Sequence, residues 1–319
     1  MIPPSEPRRG RRAARISLTN GLGRTTDPTE TMRPALHRHA VRAAFDQGYA
    51  ALRAHADASA RRPGATLVAL DENGGVAGVL RLDPAPGRPA AAVIGRHPRC
   101  DLVLRGEPRV SLRHAAVLAL VRPRFEIEFA ALDLRARHGL RDEHGARVAG
   151  LRDSGALVLR LTRFVLFLLP TGDGIPWPDD PSAGWACLPF AHAGGGPRAT
   201  HVSPSAGDDE PIGWLTVRAR AAASVLPVGA AALRRGVLVG RSGRCAAAFR
   251  DALDDRRFSR LHLLVADVDG RPFAVDLAST NGARARDSGV RAGPLEPGVP
   301  WHLGGRDAAV SWAPAEEKR

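Results

Sequence analysis

The chain has 319 residues, 44% of them apolar, with 34 glycines, 26 prolines and a formal net charge of +13, which is enough for two turn-rich domains with cores of their own. Its basic residues are 45 arginines and one lysine, Lys318 at the extreme C-terminus, so a P-loop, a protein-kinase strand lysine and a pyridoxal Schiff base are all excluded on chemical grounds. Cys100, Cys187 and Cys245 have no C-x-x-C spacing, no apolar run approaches a membrane span, and the arginine-bearing N-terminus lacks an apolar segment behind it; the expectation is a cytoplasmic protein with reduced thiols, no metal and no cofactor.

Residues 1–62 carry twelve arginines against five acids, a local charge of +7. Within them, residues 1–33 are polar and proline-containing and read as a disordered tail. The tail holds the basic run Arg8, Arg9, Arg11, Arg12 and Arg15 and the threonines Thr25, Thr26, Thr29 and Thr31. Over residues 34–62, Val41, Phe45, Tyr49 and Leu52 recur at helical spacing until Pro63-Gly64 ends the run, which predicts a helix laid either on its own domain or in a partner groove.

From Thr66 the period shortens. Two apolar runs flank Asn73-Gly74-Gly75, the mark of a hairpin, and short strand candidates follow to Leu169. An antiparallel sandwich over residues 64–170 is expected. Residues 171–211 hold seven prolines and Gly194-Gly195-Gly196 and read as a linker, with Trp177, Trp185 and Phe190 available to tack it down. Strands resume at Trp214, giving a second sandwich over 212–313 and a short tail, 314–319.

The two sandwiches share an internal repeat. Gly95-Arg96 and Cys100 align with Gly240-Arg241 and Cys245 at an offset of 145, Ser111 and His114 with Ser259 and His262 at 148, and Gly139 with Gly282 at 143. Common order with small loop drift indicates duplication. Equivalent cysteines beside apolar runs read as buried structural thiols.

In the second copy, Gly240-Arg241, Ser259-Arg260-Leu261-His262 and Ser279-Thr280-Asn281-Gly282 stand in order, and here the chain resembles a forkhead-associated (FHA) domain, written twice over about two thirds of its length. The resemblance implies all-β sandwiches that bind phosphothreonine peptides through loops at one end, without catalysis. By resemblance, Arg241 and Ser259 contact the phosphate, Thr280 and Arg260 add donors, and Asn281 holds the ligand backbone. His262, with Gly240 and Gly282, supports the loops. The first copy keeps Arg96, Ser111, Arg113 and His114 but has Leu112, Ala136 and His138 where the pattern has arginine, serine and asparagine, with Arg137 in the place of Thr280. That reads as a weakened or purely structural domain, or a weak second site of Arg96, Ser111, Arg113 and Arg137.

The chemistry agrees with the resemblance. A phosphothreonine brings about −1.5 to −2 charges and three acceptor oxygens, so its pocket calls for a guanidinium and short donors. The leading expectation is an adaptor in Ser/Thr kinase signalling whose partners are a phosphothreonine protein and a kinase, with a phosphorylated N-terminal tail as a ligand in cis. Two alternatives stand beside it: a phosphorylation-independent scaffold, and nucleic-acid association through the arginine-rich tail. A Ser259/His262 hydrolase is disfavoured, because the sequence has no nucleophile elbow and no evident orienting acid.

Overall fold

The structure is a computed structural model and describes residues 28–174, 176–188, 200–202, 209–219, 222–285, 290–305 and 308–315. The basic run Arg8–Arg15, Thr25, Thr26, Phe190, the glycine run at 194–196 and Lys318 lie outside the described residues.

Helix α1 (Pro28–Ser59) begins before the expected start at residue 34, so Thr29 and Thr31 of the segment read as a disordered tail lie in its first turn; it ends at Ser59, short of 62, and precedes the first sandwich. Its strands are β1 (Gly64–Leu70), β2 (Val76–Leu82), β3 (Ala90–Gly95), β4 (Leu102–Val103), β5 (Ala115–Val121), β6 (Ile127–Asp133), β7 (Leu140–Arg141), β8 (Arg147–Val148), β9 (Gly150–Ser154), β10 (Leu157–Leu161) and β11 (Phe164–Thr171). They form two six-stranded sheets, ordered β2-β1-β11-β10-β7-β8 and β12-β9-β6-β5-β3-β4, the latter taking in β12 (Thr200–Val202) from the inter-domain segment. The same segment contains α2 (Pro181–Ala186). The β1–β2 turn forms where the Asn-Gly-Gly signal stands: the Asp71 carboxylate accepts from the backbone N–H groups of Asn73 and Gly75 at 2.9 Å, the local bond that favours Asx residues in turns.

The second sandwich comprises β13 (Pro211–Ala219), β14 (Ala222–Gly229), α3 (Ala230–Arg235), β15 (Val237–Val239), α4 (Ala247–Arg250), β16 (Leu263–Val268), β17 (Arg271–Asp276), β18 (Ala283–Ala285), β19 (Ala292–Pro294), β20 (Trp301–Leu303) and β21 (Ala308–Pro314). Its sheets are β14-β13-β21-β20-β18 and β15-β16-β17-β19. Among the described residues, strand pairing is antiparallel except for β3 with β4.

Four apolar layers hold these elements together. The stripe Val41, Phe45, Tyr49 and Leu52 of α1 is buried on the outer face of β1, β10 and β11, against Val68, Val158 and Phe167. Trp177 and Trp185 pack beside it, and the Tyr49 hydroxyl donates to the Pro178 carbonyl at 2.6 Å. The helix thus covers its own domain. Leu67, Ile94, Val117, Phe129 and Leu166 fill the first sandwich, and Leu215, Val239, Val265, Trp301 and Val310 fill the second.

The fourth layer joins the two domains. Val93, Cys100, Ala116, Leu118, Leu120, Ala130, Leu132 and Leu134 of the first meet Leu238, Cys245, Leu264, Ala266, Val268, Phe273, Val275 and Leu277 of the second, with Leu261 beside them. These two sets of eight correspond one to one at the repeat offsets of 145, 148 and 143. The same patch on each copy faces its counterpart, which is the arrangement of an isologous dimer interface, here within one chain. Each fully buried large apolar side chain contributes about 1.5–3 kcal/mol, so the layer is a shared core rather than a polar domain contact. At its rim Arg122 pairs with Asp269, Arg152 with Asp267 at 3.5 Å, and Arg291 with Asp101 at 3.2 Å.

Candidate functional site

Both copies wire their loops in the same way. An added Cβ would lie 2.3 Å from the Leu112 carbonyl oxygen at Gly95 and 2.6 Å from the Arg260 carbonyl oxygen at Gly240, so close backbone approach requires glycine ahead of each arginine. The Ser111 N–H donates to His114 Nδ1 at 3.1 Å, and His114 Nε2 lies 3.1 Å from the Gly139 carbonyl. In the second copy the matching distances are 3.0 Å from Ser259 N to His262 Nδ1 and 2.9 Å from Nε2 to the Gly282 carbonyl. Asp133 accepts from Ala136 N–H and Asp276 from Ser279 N–H, at 3.0 and 3.2 Å. Each thiol donates to the carbonyl inside the serine turn, Cys100 to Leu112 at 3.2 Å and Cys245 to Arg260 at 3.3 Å.

Burial sets the electrostatics of this frame. It depresses both imidazoles, His114 to about 4 with His262 shifted the same way, and it raises both thiols to about 11. Asp133 is raised to about 6, again by burial. The histidines are therefore neutral braces with Nδ1 accepting and Nε2–H donating. Because Nδ1 of His262 already accepts a backbone N–H, neither ring nitrogen is left to deprotonate the Ser259 hydroxyl.

Around the second-copy frame the structure brings Arg241, Ser259, Thr280 and Asn281 together. Ser259 Oγ accepts the Thr280 N–H at 3.0 Å and lies 3.5 Å from Thr280 Oγ1. Arg241 Nε donates to the Phe258 carbonyl at 3.0 Å; the residue is exposed and has no ion pair among the described residues. Asn281 is exposed too, and its Nδ2 donates to the Arg257 carbonyl at 2.8 Å. A guanidinium, two hydroxyls and an amide on one rigid edge suit an oxyanion with several acceptor oxygens.

Arg260 parts from this group, because its side chain lines a cleft of about 440 Å³ between the domains, where Arg96, Ser111, Arg113 and Arg137 also lie. Arg113 does not present a free guanidinium there. It is buried and donates to the carbonyls of Leu277 and, at 2.6 Å, Ala278, so it holds the second copy's loop from across the interface. Arg99 joins it, donating to the Ser279 and Thr280 carbonyls at 3.2 and 2.7 Å. Arg244, the repeat counterpart of Arg99, reaches the Arg135 carbonyl at 3.4 Å in the opposite direction. Sequence reading did not single out Arg99, Arg244, Asp133 or Asp276; their pairing at the repeat offsets was the available signal.

No family model and no curated protein matches the sequence. Solved structures do. The chain is similar to the FHA-1 domain of Mycobacterium tuberculosis Rv1747 at 25% identity and a TM-score of 0.25, over 32% of this chain and 98% of that domain. It is similar to the FHA domain of CT664 from Chlamydia trachomatis at 20% identity and a TM-score of 0.27, over 33% and 96%. A third, from a structural and functional analysis of phosphothreonine-dependent FHA domain interactions, is 24% identical with a TM-score of 0.25, over 32% and 97%. Each match is the length of one sandwich, and this chain holds two.

Proposed function

We propose that the protein is a phosphothreonine-peptide-binding adaptor whose working site is the loop edge of the second sandwich. The reading rests chiefly on one observation: an exposed Arg241 is anchored by its Nε on the carbonyl of Phe258, the residue before Ser259, whose hydroxyl accepts the Thr280 N–H. Arg241 supplies the charge that a phosphate dianion requires, Ser259 and Thr280 supply short donors, and Asn281 meets the ligand backbone. Gly240, His262 and Gly282 hold these groups in place. Arg260 stands at the rim.

The ligand is a protein phosphorylated by a Ser/Thr kinase in the cytoplasm. A phosphorylated threonine of the N-terminal segment is a ligand of the same chemistry within the chain. Binding, not catalysis, is the role that fits a serine whose neighbouring histidine has both nitrogens engaged. No described helix is long and apolar enough to cross a membrane.

Titrating phosphothreonine peptides and their unphosphorylated twins into the full chain tests this reading. Phosphorylated peptides bind and the twins do not. Binding of both forms alike would leave the phosphorylation-independent scaffold, and DNA binding lost on deleting residues 1–33 would point to the tail instead.

A further inference from the structure

The loop that carries Thr280 and Asn281 is held from outside its own domain. Arg113 of the first copy donates from Nε to the Leu277 carbonyl and from a terminal nitrogen to the Ala278 carbonyl, the latter at 2.6 Å. Arg99 donates to the next two carbonyls, Ser279 at 3.2 Å and Thr280 at 2.7 Å. Four successive carbonyls of the site loop are thus bonded to two arginines of the other domain. Asp276, which accepts the Ser279 N–H, is tied to Asp101 of that domain through Arg291.

In a trans peptide the N–H points away from the carbonyl. The peptide between Ser279 and Thr280 is therefore held at both ends: Arg99 donates to its carbonyl, and its N–H donates to Ser259 Oγ at 3.0 Å. That N–H is the donor that orients the serine hydroxyl of the site. A cation on the carbonyl also strengthens the N–H as a donor, because hydrogen bonds in series polarise one another. The loop has a cost to hold down, since Ala278 stands at φ 52°, a left-handed backbone unfavourable to a residue with a Cβ. Arg135 takes the same backbone in the first copy, at φ 53°, but there Leu261 and Arg244 stand in the places of Arg113 and Arg99 under the repeat. Leu261 has no side-chain donor, and Arg244 reaches one carbonyl, that of Arg135, at 3.4 Å. The copy with the complete loop motif is also the copy whose loop is clamped.

On the reading of the Arg241 edge as a phosphothreonine site, we propose that Arg99 and Arg113 are positioning residues for that site, so that the docked first domain serves as a built-in support of the second domain's binding loop. Neither arginine touches the ligand. Each acts by fixing the peptide planes between Leu277 and Asn281, and phosphopeptide affinity therefore depends on how the two domains dock. The first copy, with its own loop motif partly replaced, keeps this second task.

Fluorescence anisotropy of the full chain with a labelled phosphothreonine peptide and its unphosphorylated twin, paired with hydrogen exchange at the Thr280 amide, tests the assignment. Arg99 is exposed, so Arg99→Met folds while removing the donor; it raises the phosphopeptide Kd about three- to tenfold and speeds exchange at Thr280. One Arg99 nitrogen serves both carbonyls, so Arg99→Lys can replace it and stays within about twofold of wild type. Adding Arg113→Met to Arg99→Met deepens the loss. The deficit persists at high salt, where the loss of a merely nearby charge is screened. Asp269→Ala breaks the cross-domain pair with Arg122 away from the loop and leaves both readouts within about twofold of wild type. Phosphorylation-dependent binding that Arg99→Met does not weaken, a deficit that vanishes at high salt, or an equal loss on Asp269→Ala overturns the positioning role alone. Wild type that binds the two peptides alike, or binds neither, overturns the phosphothreonine reading and the positioning role with it.

Discussion

In the first copy the arginine of the serine–histidine turn, Arg113, is buried and bonded to two carbonyls of the second domain. The second copy places Leu261 at that position, within the shared apolar layer, and its arginine comes one residue earlier, as exposed Arg260. What the copies have in common is the backbone frame: Gly95 and Gly240 at the close approach, His114 and His262 bridging two loops, Asp133 and Asp276 closing a turn. What differs is where the guanidinium groups face. The comparison separates the residues the sandwich needs in order to fold from those it is free to vary, and Arg260, Thr280 and Asn281, which correspond to Leu112, Arg137 and His138 in the repeat, fall in the second class.

The largest expected effect comes from breaking the layer that binds the copies. Leu118→Ala, fully buried between them, lowers unfolding free energy by about 2–5 kcal/mol in urea melts. Two sandwiches that melt independently, with one unaffected by the substitution, would contradict a shared core.

Acid titration sharpens the comparison next. His114, depressed to about 4, contributes stability that is present above the unfolded value of about 6.5 and lost as pH falls toward 4. His262 acts in the same direction. Asp133, raised to about 6, has the opposite sign: its contribution is present below the unfolded value of about 3.9 and lost as pH rises through 6. The two groups of the first copy therefore oppose each other between pH 4 and 6. Asp133→Asn removes the opposing group, so stability falls more steeply on acidification over that window, by up to about one proton's worth of slope. Urea melts at pH 4, 5, 6 and 7 read the difference, and unchanged slopes would contradict the assignment.

Removing the cross-domain clamp should cost less. Arg113→Met keeps the bulk but leaves the Leu277 and Ala278 carbonyls without their donor, a loss of about 1–3 kcal/mol in the same melts. Smaller still is the effect on thiol reactivity. Cys100 and Cys245 are buried with thiols raised to about 11, so only exposed Cys187 reacts with a thiol reagent in the native protein, and all three react in denaturant.

Much of the architecture was legible in the sequence, because turn chemistry and repeat offsets are local properties. The Asn73-Gly74-Gly75 hairpin, the α1 stripe and the correspondence of the two cysteines all follow from residue types at fixed spacing. The shared core was less apparent. Its signal lay in strands without alternation: Ala115–Val121 and Leu263–Val268 are apolar on both faces, buried along nearly their whole length, which a sheet with one solvent face would not need. The fates of Arg113 and Arg260 were hidden for a different reason. Neighbours in the serine–histidine turn point in different directions, and which side meets the other domain depends on docking, which no local pattern encodes.

Arg96 and Arg241, the two arginines that follow the paired glycines, occupy equivalent positions in the two copies. Titrating one phosphothreonine peptide into wild type, Arg96→Ala and Arg241→Ala compares the copies within a single protein. Loss of about 1.5–3 kcal/mol, tenfold or more in affinity, on Arg241→Ala with less than about a twofold change on Arg96→Ala is the predicted result. Equal affinity for wild type and Arg241→Ala would contradict it.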